Sequence, residues 1–498
     1  MVLAQAAEWT SPYVDYHALA PEIILGAVVC IVLVVDLFLD ERNRWATSTI
    51  AGLGLLISLV PIVTLAVDGA DRVMFDGAYV VDNFALVLKA LFLLTGYVVV
   101  LLSTTYVEEG DYYQGEYYFL LLSSVLGMVM MSSSRDLVSI FVALELLSIP
   151  AYMLAAWRKR DTKSNEAGMK YFLLGVFASA VMLYGMSLLY GVSGSTLLTS
   201  INEALEENAP VTTLAIVFVL AGFAFKVSAV PFHTWAPDTY EGAPTPITAF
   251  LSVGSKAAGF VALLSLLYIG LANGKDVWEP MFFVLSLLTM TIGNVLALRQ
   301  HNIVRMLAYS SISQGGFILM PLAVIGSNAQ AQEESLQAVV TYLVVYAAMQ
   351  LGAFAVVLAV ARKTRSGEIS SYGGLFGYAP GLAVAMTIFL ASLAGIPPLA
   401  GWVAKLGVFR AVLAEGGWFG GILAVAGAVN SVVALAYYAR VMREMWMEEA
   451  PDGDTSPISV PQPLVAALGL TVVATVAIGV VPQIVLRYGD LGTFSFGG

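Results

Sequence analysis

Charge is scarce in this chain: only 12% of its 498 residues are Asp, Glu, Lys or Arg, about half the share of a soluble domain. There is one cysteine, Cys30, which excludes an internal disulfide and a cysteine-held cluster. The three histidines, His17, His233 and His301, are far apart and lack metal-site spacing. No glycine-rich loop stands ahead of a helix to suggest a nucleotide site. The chain is expected to carry no cofactor, metal or redox centre of its own. Basic residues are outnumbered, and the net charge of −12 excludes nucleic acid as a partner. The acidic excess collects in loops, for instance Glu203, Glu206 and Glu207. It reads as solvated surface, with adaptation to a salty milieu as the alternative. The opening MVLAQAAEWT lacks a basic start followed by an apolar run, so no cleaved signal peptide is expected.

Apolar sequence fills the space that charge leaves: 59% of the chain is hydrophobic. A crossing helix needs about 20 mostly apolar residues, and on that measure about fourteen spans follow one another. They lie near 20–40, 46–67, 82–104, 116–132, 136–157, 168–192, 211–231, 246–271, 278–298, 303–326, 337–361, 380–413, 418–445 and 461–486. No long polar segment interrupts them. The expected fold class is an all-α polytopic membrane protein, residues 1–498 forming one membrane domain in the lipid bilayer. Within it, 1–110 carry three N-terminal helices, 111–272 and 273–447 two bundles, and 448–498 a last helix.

Basic residues in short loops give the orientation. Arg42 and Arg44, then Arg158, Lys159, Arg160 and Lys163, then Arg362, Lys363 and Arg365 follow odd-numbered spans. The alternate loops hold only Arg72, Arg135 and Lys275. Odd spans are therefore expected to end in the cytoplasm, with both termini outside a plasma membrane. Tyr112, Tyr113, Tyr117 and Tyr118 flank span 4 where an aromatic belt would sit.

Two spans are broken by proline. Span 12 contains Gly395, Ile396, Pro397 and Pro398, and span 7 is interrupted at Pro231. Proline removes a backbone donor and clashes with the preceding turn. Such breaks persist in membranes where the freed groups face protein or a wet cavity. Spans 7 and 12 are five apart and so cross in opposite directions. Two broken, lysine-bearing helices of opposite direction suggest inverted repeats over spans 4–8 and 9–13.

The charges that remain inside spans are the candidates for function, because keeping them there is costly. Glu145 lies in IFVALELLSIPAYML, Lys256 in FLSVGSKAAGF, Lys226 in GFAFKVSAVPFHTW and Lys405 in PPLAGWVAKLGVF. For Glu145 the alternative is a structural ion pair or a packing hydrogen bond. Lys226 can snorkel to an interface and Lys405 can anchor a helix end. Lys256 is mid-span, flanked by small residues that allow close helix approach or water. Lys170 opens span 6 as an ordinary end lysine would, and Lys89 in span 3 stays unassigned. His233 is a loop residue or a relay group. An acid and several amines linked by water can hand protons along the membrane plane.

The stretches 225–260 (FKVSAVPFHTWAPDTYEGAPTPITAFLSVGSKAAGF), 305–317 (RMLAYSSISQGGF) and 392–409 (SLAGIPPLAGWVAKLGVF) resemble the antiporter-like membrane subunits of respiratory complex I, the NADH-quinone oxidoreductases. The third resembles the subunit N family more than the L and M sisters, one of which carries glutamate at the position of Lys405. The resemblance implies fourteen helices, two inverted five-helix bundles and a proton channel through the middle. It implies a relay at Glu145, Lys170, Lys226, Lys256 and Lys405, and thus marks Lys170 as more than a helix-end charge. It implies a proton-translocating subunit that holds no NADH, flavin or cluster and works beside other membrane-arm subunits, with protons and internal water as its cargo and medium. A sodium/proton antiporter subunit, a membrane-bound hydrogenase subunit and a pure scaffold are the alternatives. Many relatives have histidine where this chain has Gln314, which can hold water but cannot carry charge.

Overall fold

The computed structural model describes residues 13–40, 43, 45–69, 71–110, 114–205, 209–325, 329–414 and 417–486. Arg42, Arg44, Tyr112, Tyr113, Glu206 and Glu207 lie outside them, as does the N-terminal MVLAQAAEWT stretch. The described chain is mostly helical. Among the described residues ten helices are long and apolar enough to cross a membrane, and Pro210–Lys226 and Pro380–Ala394 are shorter apolar helices.

Three helices come first: α1 (Ala20–Asp36), α2 (Trp45–Asp68) and α3 (Asn83–Glu109). Between α2 and α3 runs a feature that apolar counting does not expect, a hairpin of β1 (Arg72–Met74) and β2 (Tyr79–Val81). Gly77 takes a left-handed conformation in its turn (φ 89°). β2 is wholly β-branched and aromatic, Tyr79, Val80 and Val81, and Tyr79 bridges on to Ser134. The hairpin is a small exception to an all-helical fold.

Then come α4 (Gln114–Ser133), α5 (Leu137–Ala155), α6 (Thr162–Ser193), the short α7 (Leu198–Ala204) and α8 (Pro210–Lys226). Side-chain caps mark where several helices begin. Asp136 accepts from Val138 and Ser139 at the start of α5, and Asp161 accepts from Lys163 at the start of α6. After α8 the chain leaves helical geometry, and Ser228 adopts φ 58°. It resumes as α9 (Trp235–Gly242), inside the stretch expected as a loop.

The next run, Thr245–Gly270, comprises α10 (Thr245–Phe250), a π-helical turn (Leu251–Ser255), α11 (Lys256–Ser265) and a second π turn (Leu266–Gly270). Then follow α12 (Lys275–Leu298), α13 (Ile303–Leu319), α14 (Ala329–Thr364) and the short α15 (Leu375–Tyr378). The double proline separates α16 (Pro380–Ala394) from α17 (Ala400–Ala414), with Gly395 at φ 92° ending α16. The series closes with α18 (Trp418–Met447), α19 (Gln462–Val480) and α20 (Gln483–Leu486).

Burial sorts these helices into centre and rim. The most apolar window of Thr245–Gly270 is fully buried and that of α14 is 89% buried, against 28% for α6, α18 and α19. Residues such as Phe177 on α6 and Val432 on α18 face outward. A helix apolar on its outer face as well as its inner one fits lipid or a membrane neighbour. The centre of the molecule is therefore built on the helix that carries Lys256.

Candidate functional site

Lys256 begins α11 directly after a π turn. A π turn widens the helix and is frequent where a helix carries function. The ammonium is buried and donates to the Ser311 carbonyl at 2.8 Å and to Ser311 Oγ at 2.6 Å. It has no carboxylate partner among the described residues.

Lys226 is the last residue of α8, against the break. Its stem lies on Gly259, where an added Cβ would come 3.0 Å from Lys226 Cγ. Gly259 is three residues beyond Lys256, so two buried lysines share one stretch of α11. This is the close approach expected of the small residues there. Lys226 Nζ donates to Ser148 Oγ at 2.7 Å. Trp235, from α9 across the break, donates its indole N–H to the Phe225 carbonyl at 3.1 Å. That carbonyl, at the helix end, also accepts from the Ser228 N–H at 3.0 Å.

Glu145 lies three residues before Ser148 on α5, on the same face. It is half-buried and accepts from Ser179 Oγ of α6 at 2.7 Å. Glu145 and Lys226 both end on serine hydroxyls.

Lys405 stands five residues into α17, beyond the second break. It donates to the carbonyl of Ala394, the last residue of α16, at 2.8 Å, and to Ser431 Oγ at 3.3 Å. Its ammonium lies 4.7 Å from the centre of the Phe317 ring, a cation–π contact. The proline break thus exposes a carbonyl and the lysine occupies it.

Between Lys256 and Lys405 runs α13. Ser311 holds Lys256, Gln314 comes one turn later, and Phe317 underlies Lys405 a further turn on. The rise from Ser311 to Phe317 is about 9 Å. Gln314 Nε2 donates to the Leu393 carbonyl at 3.0 Å and its Oε1 accepts from the Tyr342 hydroxyl. Ser310 Oγ pairs with the Tyr438 hydroxyl at 2.5 Å.

Lys170 is placed otherwise. Its side chain is 41% exposed, and it pairs with Glu166 at 2.6 Å and Asp238 at 2.8 Å. Arg305 joins the same cluster through Asp238 at 2.9 Å and Glu241 at 2.8 Å. A cavity of about 140 Å³ opens among these side chains. Asp238 and Glu241 sit on α9, beyond the apolar helix α8. Burial opposes their charge, yet hydrogen bonds from Lys170 and Arg305 to Asp238, and from Arg305 and Lys163 to Glu241, hold both carboxyls below their usual range.

The structure thus sets Lys226 against Gly259 of the helix that carries Lys256, puts Ser311 and Phe317 of α13 beside Lys256 and Lys405, and places Lys170 apart in a partly exposed ion-pair cluster. Sequence reasoning missed the acceptors: Ser148, Ser179, Ser311, Ser431 and the tyrosines of α14 and α18. Serine and tyrosine are ordinary in apolar helices and give no signal. Two buried ion pairs were missed as well. Lys89, fully buried, meets Glu22 at 2.7 Å, and Arg135 meets Asp82 at 3.0 Å. Here a signal existed, since Glu22 and Lys89 are opposite charges inside spans 1 and 3. Among the described residues no group of three or more His, Cys, Asp or Glu is placed to hold a metal ion.

Residues 134–432 match the family model described as NADH:quinone oxidoreductase/Mrp antiporter, TM. The chain is 43% identical over 437 residues to NAD(P)H-quinone oxidoreductase subunit 2 of Synechocystis sp., covering 86% of this chain and 82% of that one. It is 39% identical over 485 residues to NADH-quinone oxidoreductase subunit N of Desulforamulus reducens, covering 97% and 99%. A chain in the structure of respiratory complex I from Thermus thermophilus with bound Aureothin superposes with a TM-score of 0.79 at 31% identity, covering 96% of this chain and all of that one.

Proposed function

The chain belongs to the NADH:quinone oxidoreductase/Mrp antiporter membrane family, and from that premise we propose that it is the proton-translocating membrane-arm subunit N of a complex I-type enzyme. Oxidoreduction takes place in other subunits, and this chain answers it by moving protons through Glu145, Lys226, Lys256 and Lys405. Lys170 is the member of the relay at the cytoplasmic edge. Its neighbours in the assembly are other membrane-arm subunits, and the outward apolar faces of α6 and α18 suit such neighbours or lipid.

The observation that carries this proposal is the company the buried lysines keep. Lys226, Lys256 and Lys405 all donate to neutral oxygens, of serine hydroxyls or backbone carbonyls. An ammonium bound to a carboxylate is pinned in its charged state. One solvated by neutral acceptors can exist with or without its proton, which a relay requires. Among the described residues the side-chain amide of Gln350 and the hydroxyl of Ser313 are buried without a hydrogen-bond partner of good geometry in the protein. Each such group costs about 1–3 kcal/mol when dry, so together they favour internal water. Proton hopping needs that water wherever two carriers do not touch.

The coupling is electrostatic. When the charge near Glu145 changes, its hold on Lys226 changes, and the proton on Lys226 moves toward Lys256. The next ammonium along then loses its own. One pKa unit is worth about 1.4 kcal/mol, so modest changes in charge gate occupancy. The fold supports the same account if the fourteen spans include two inverted repeats, spans 4–8 and 9–13, occupying 111–272 and 273–447. The α8/α9 and α16/α17 breaks are then counterparts, with Lys226 just before one and Lys405 just after the other. Odd spans then end in the cytoplasm, and both termini lie outside.

The test is Lys256→Ala and Glu145→Ala in the assembled complex in inside-out vesicles. Proton uptake per electron falls about fivefold or more in each, within the range expected for loss of a positioned proton carrier. Intact assembly with undiminished proton uptake in both variants would leave only a scaffold.

A further inference from the structure

We infer that Tyr438 is the proton-carrying link between the Lys256 half and the Lys405 half, and that Gln314 is the clamp that aims it. This rests on the relay proposed above and names the group that joins its two halves. Tyr438 reaches in from α18 and is completely buried. Its hydroxyl is paired with Ser310 Oγ at 2.5 Å, and Gln314 Nε2 donates to it at 3.4 Å. Ser310 neighbours Ser311, the acceptor of Lys256. Gln314 is tied to the Leu393 carbonyl, and the carbonyl of the next residue, Ala394, holds Lys405. Tyr438 therefore lies between the acceptors of the two lysines.

The division of labour follows from side-chain chemistry. A carboxamide has a fixed donor end and a fixed acceptor end, and cannot exchange them without becoming a high-energy tautomer. Gln314 uses both ends: Oε1 accepts from Tyr342 and Nε2 donates to Leu393. It can orient neighbours but cannot pass a proton. A hydroxyl is donor and acceptor together and reverses roles by rotating about one bond. Because the Gln314 amide points N–H at the Tyr438 oxygen, it leaves the Tyr438 proton free to face Ser310.

Tyr346 extends the same hydroxyl set. It lies beside Ser311 and near Tyr342 and Tyr438, with its hydroxyl buried. The step balances in protons. The Lys256 ammonium gives one proton to the first hydroxyl. Each hydroxyl accepts a proton on its oxygen and gives up its own, with water between hydroxyls that do not touch. The neutral Lys405 amine receives one, and no hydroxyl keeps a charge. Rotation of the hydroxyls restores the starting arrangement.

The experiment uses the assembled complex in inside-out vesicles and compares proton uptake per electron in Lys256→Ala, Tyr438→Phe and Tyr438→Phe with Gln314→His. Tyr438→Phe removes one oxygen and keeps the ring. It is expected to lower proton uptake about fivefold or more with assembly intact. Histidine at position 314 can accept one proton and release another near neutral pH. It is expected to bring uptake back to within about twofold of the parent protein. Uptake at the parent level in Tyr438→Phe, with Lys256→Ala impaired, overturns the Tyr438 link and leaves the relay standing. Parent-level uptake in both overturns the relay itself. A fall that Gln314→His does not reverse assigns the hydroxyl to packing and also overturns the link. If Tyr438→Phe fails to assemble, Ser310→Ala, alone and with Gln314→His, carries the same expectations and the same refutations.

Discussion

Two kinds of lysine share this molecule. Lys89 is fully buried and touches a carboxylate, Glu22, at 2.7 Å. Lys256 is buried too, and among the described residues its ammonium hydrogen-bonds to Ser311 and to no carboxylate. Burial alone thus does not distinguish the two; the partner does. A buried pair such as Glu22–Lys89 or Asp82–Arg135 is held by mutual attraction and changes state only at great cost. A buried lysine among hydroxyls and carbonyls has its hydrogen bonds without a counter-ion. The pairs lie on the N-terminal helices and where α4 meets α5, and they fasten helices together. The lysines held by hydroxyls and carbonyls lie on α8, α11 and α17.

The largest effect expected from breaking this contrast is on the fastened side. Asp82→Ala leaves Arg135 buried without its carboxylate and should cost about 3–5 kcal/mol. The measurement is the yield of assembled complex and its thermal midpoint in detergent. Replacing both partners, Asp82→Leu with Arg135→Met, is expected to restore much of the loss. Full stability in the single variant would show that the pair is not a fastening.

The next largest effect comes from making the centre resemble the fastened side. Ser311→Asp would set a carboxylate against the Lys256 ammonium. Pinning that charge should reduce proton uptake about tenfold, equivalent to ~1.4 kcal/mol, while assembly persists. Uptake at the parent level would mean that the neutral company of Lys256 is incidental.

A smaller loss is expected where the break itself shapes the site. Gly395 has φ 92°, and a Cβ there would fall 2.8 Å from Lys405 Cδ. Gly395→Ala therefore strains the backbone by about 1–3 kcal/mol and displaces the lysine from the Ala394 carbonyl. Proton uptake should fall severalfold. Gly259→Ala, with a 3.0 Å approach to Lys226 and an ordinary helical backbone, should cost less.

The contrast was only half legible in the sequence. Apolar length fixes where helices run, and Pro231 and the Pro397–Pro398 pair mark where two of them stop, because both signals are local. Glu145, Lys226, Lys256 and Lys405 stand out because each is expensive where it sits. What each one touches is not local. Ser311 is 55 residues from Lys256, and Tyr438 is 124 residues from Gln314. Nothing in the composition of α10 and α11 announces their π turns. The hairpin of β1 and β2 is too short for a period to emerge. The segment 232–245 lacks Lys and Arg and reads as an uninformative loop, yet α9 forms there and its Asp238 and Glu241 gather Lys163, Lys170 and Arg305.

That cluster holds the smallest predicted effect and the sharpest test of rank. Lys170 is a relay candidate by resemblance, but it is partly exposed and paired with two carboxylates. Lys170→Met leaves Asp238 its contact with Arg305 at 2.9 Å, so stability should change by only about 0.2–1 kcal/mol. The depressed carboxyls of Asp238 and Glu241 contribute stability above the usual carboxylate range of about 4, lost only as pH falls below it. Near neutral pH the cluster therefore stays charged in the variant. Proton uptake should fall about twofold to threefold, less than in Lys256→Ala, because a screened edge charge delivers protons that water can also deliver. A loss as deep as that of Lys256→Ala would place Lys170 among the indispensable carriers despite its carboxylate partners. The rule that the partner decides would then fail at the membrane edge.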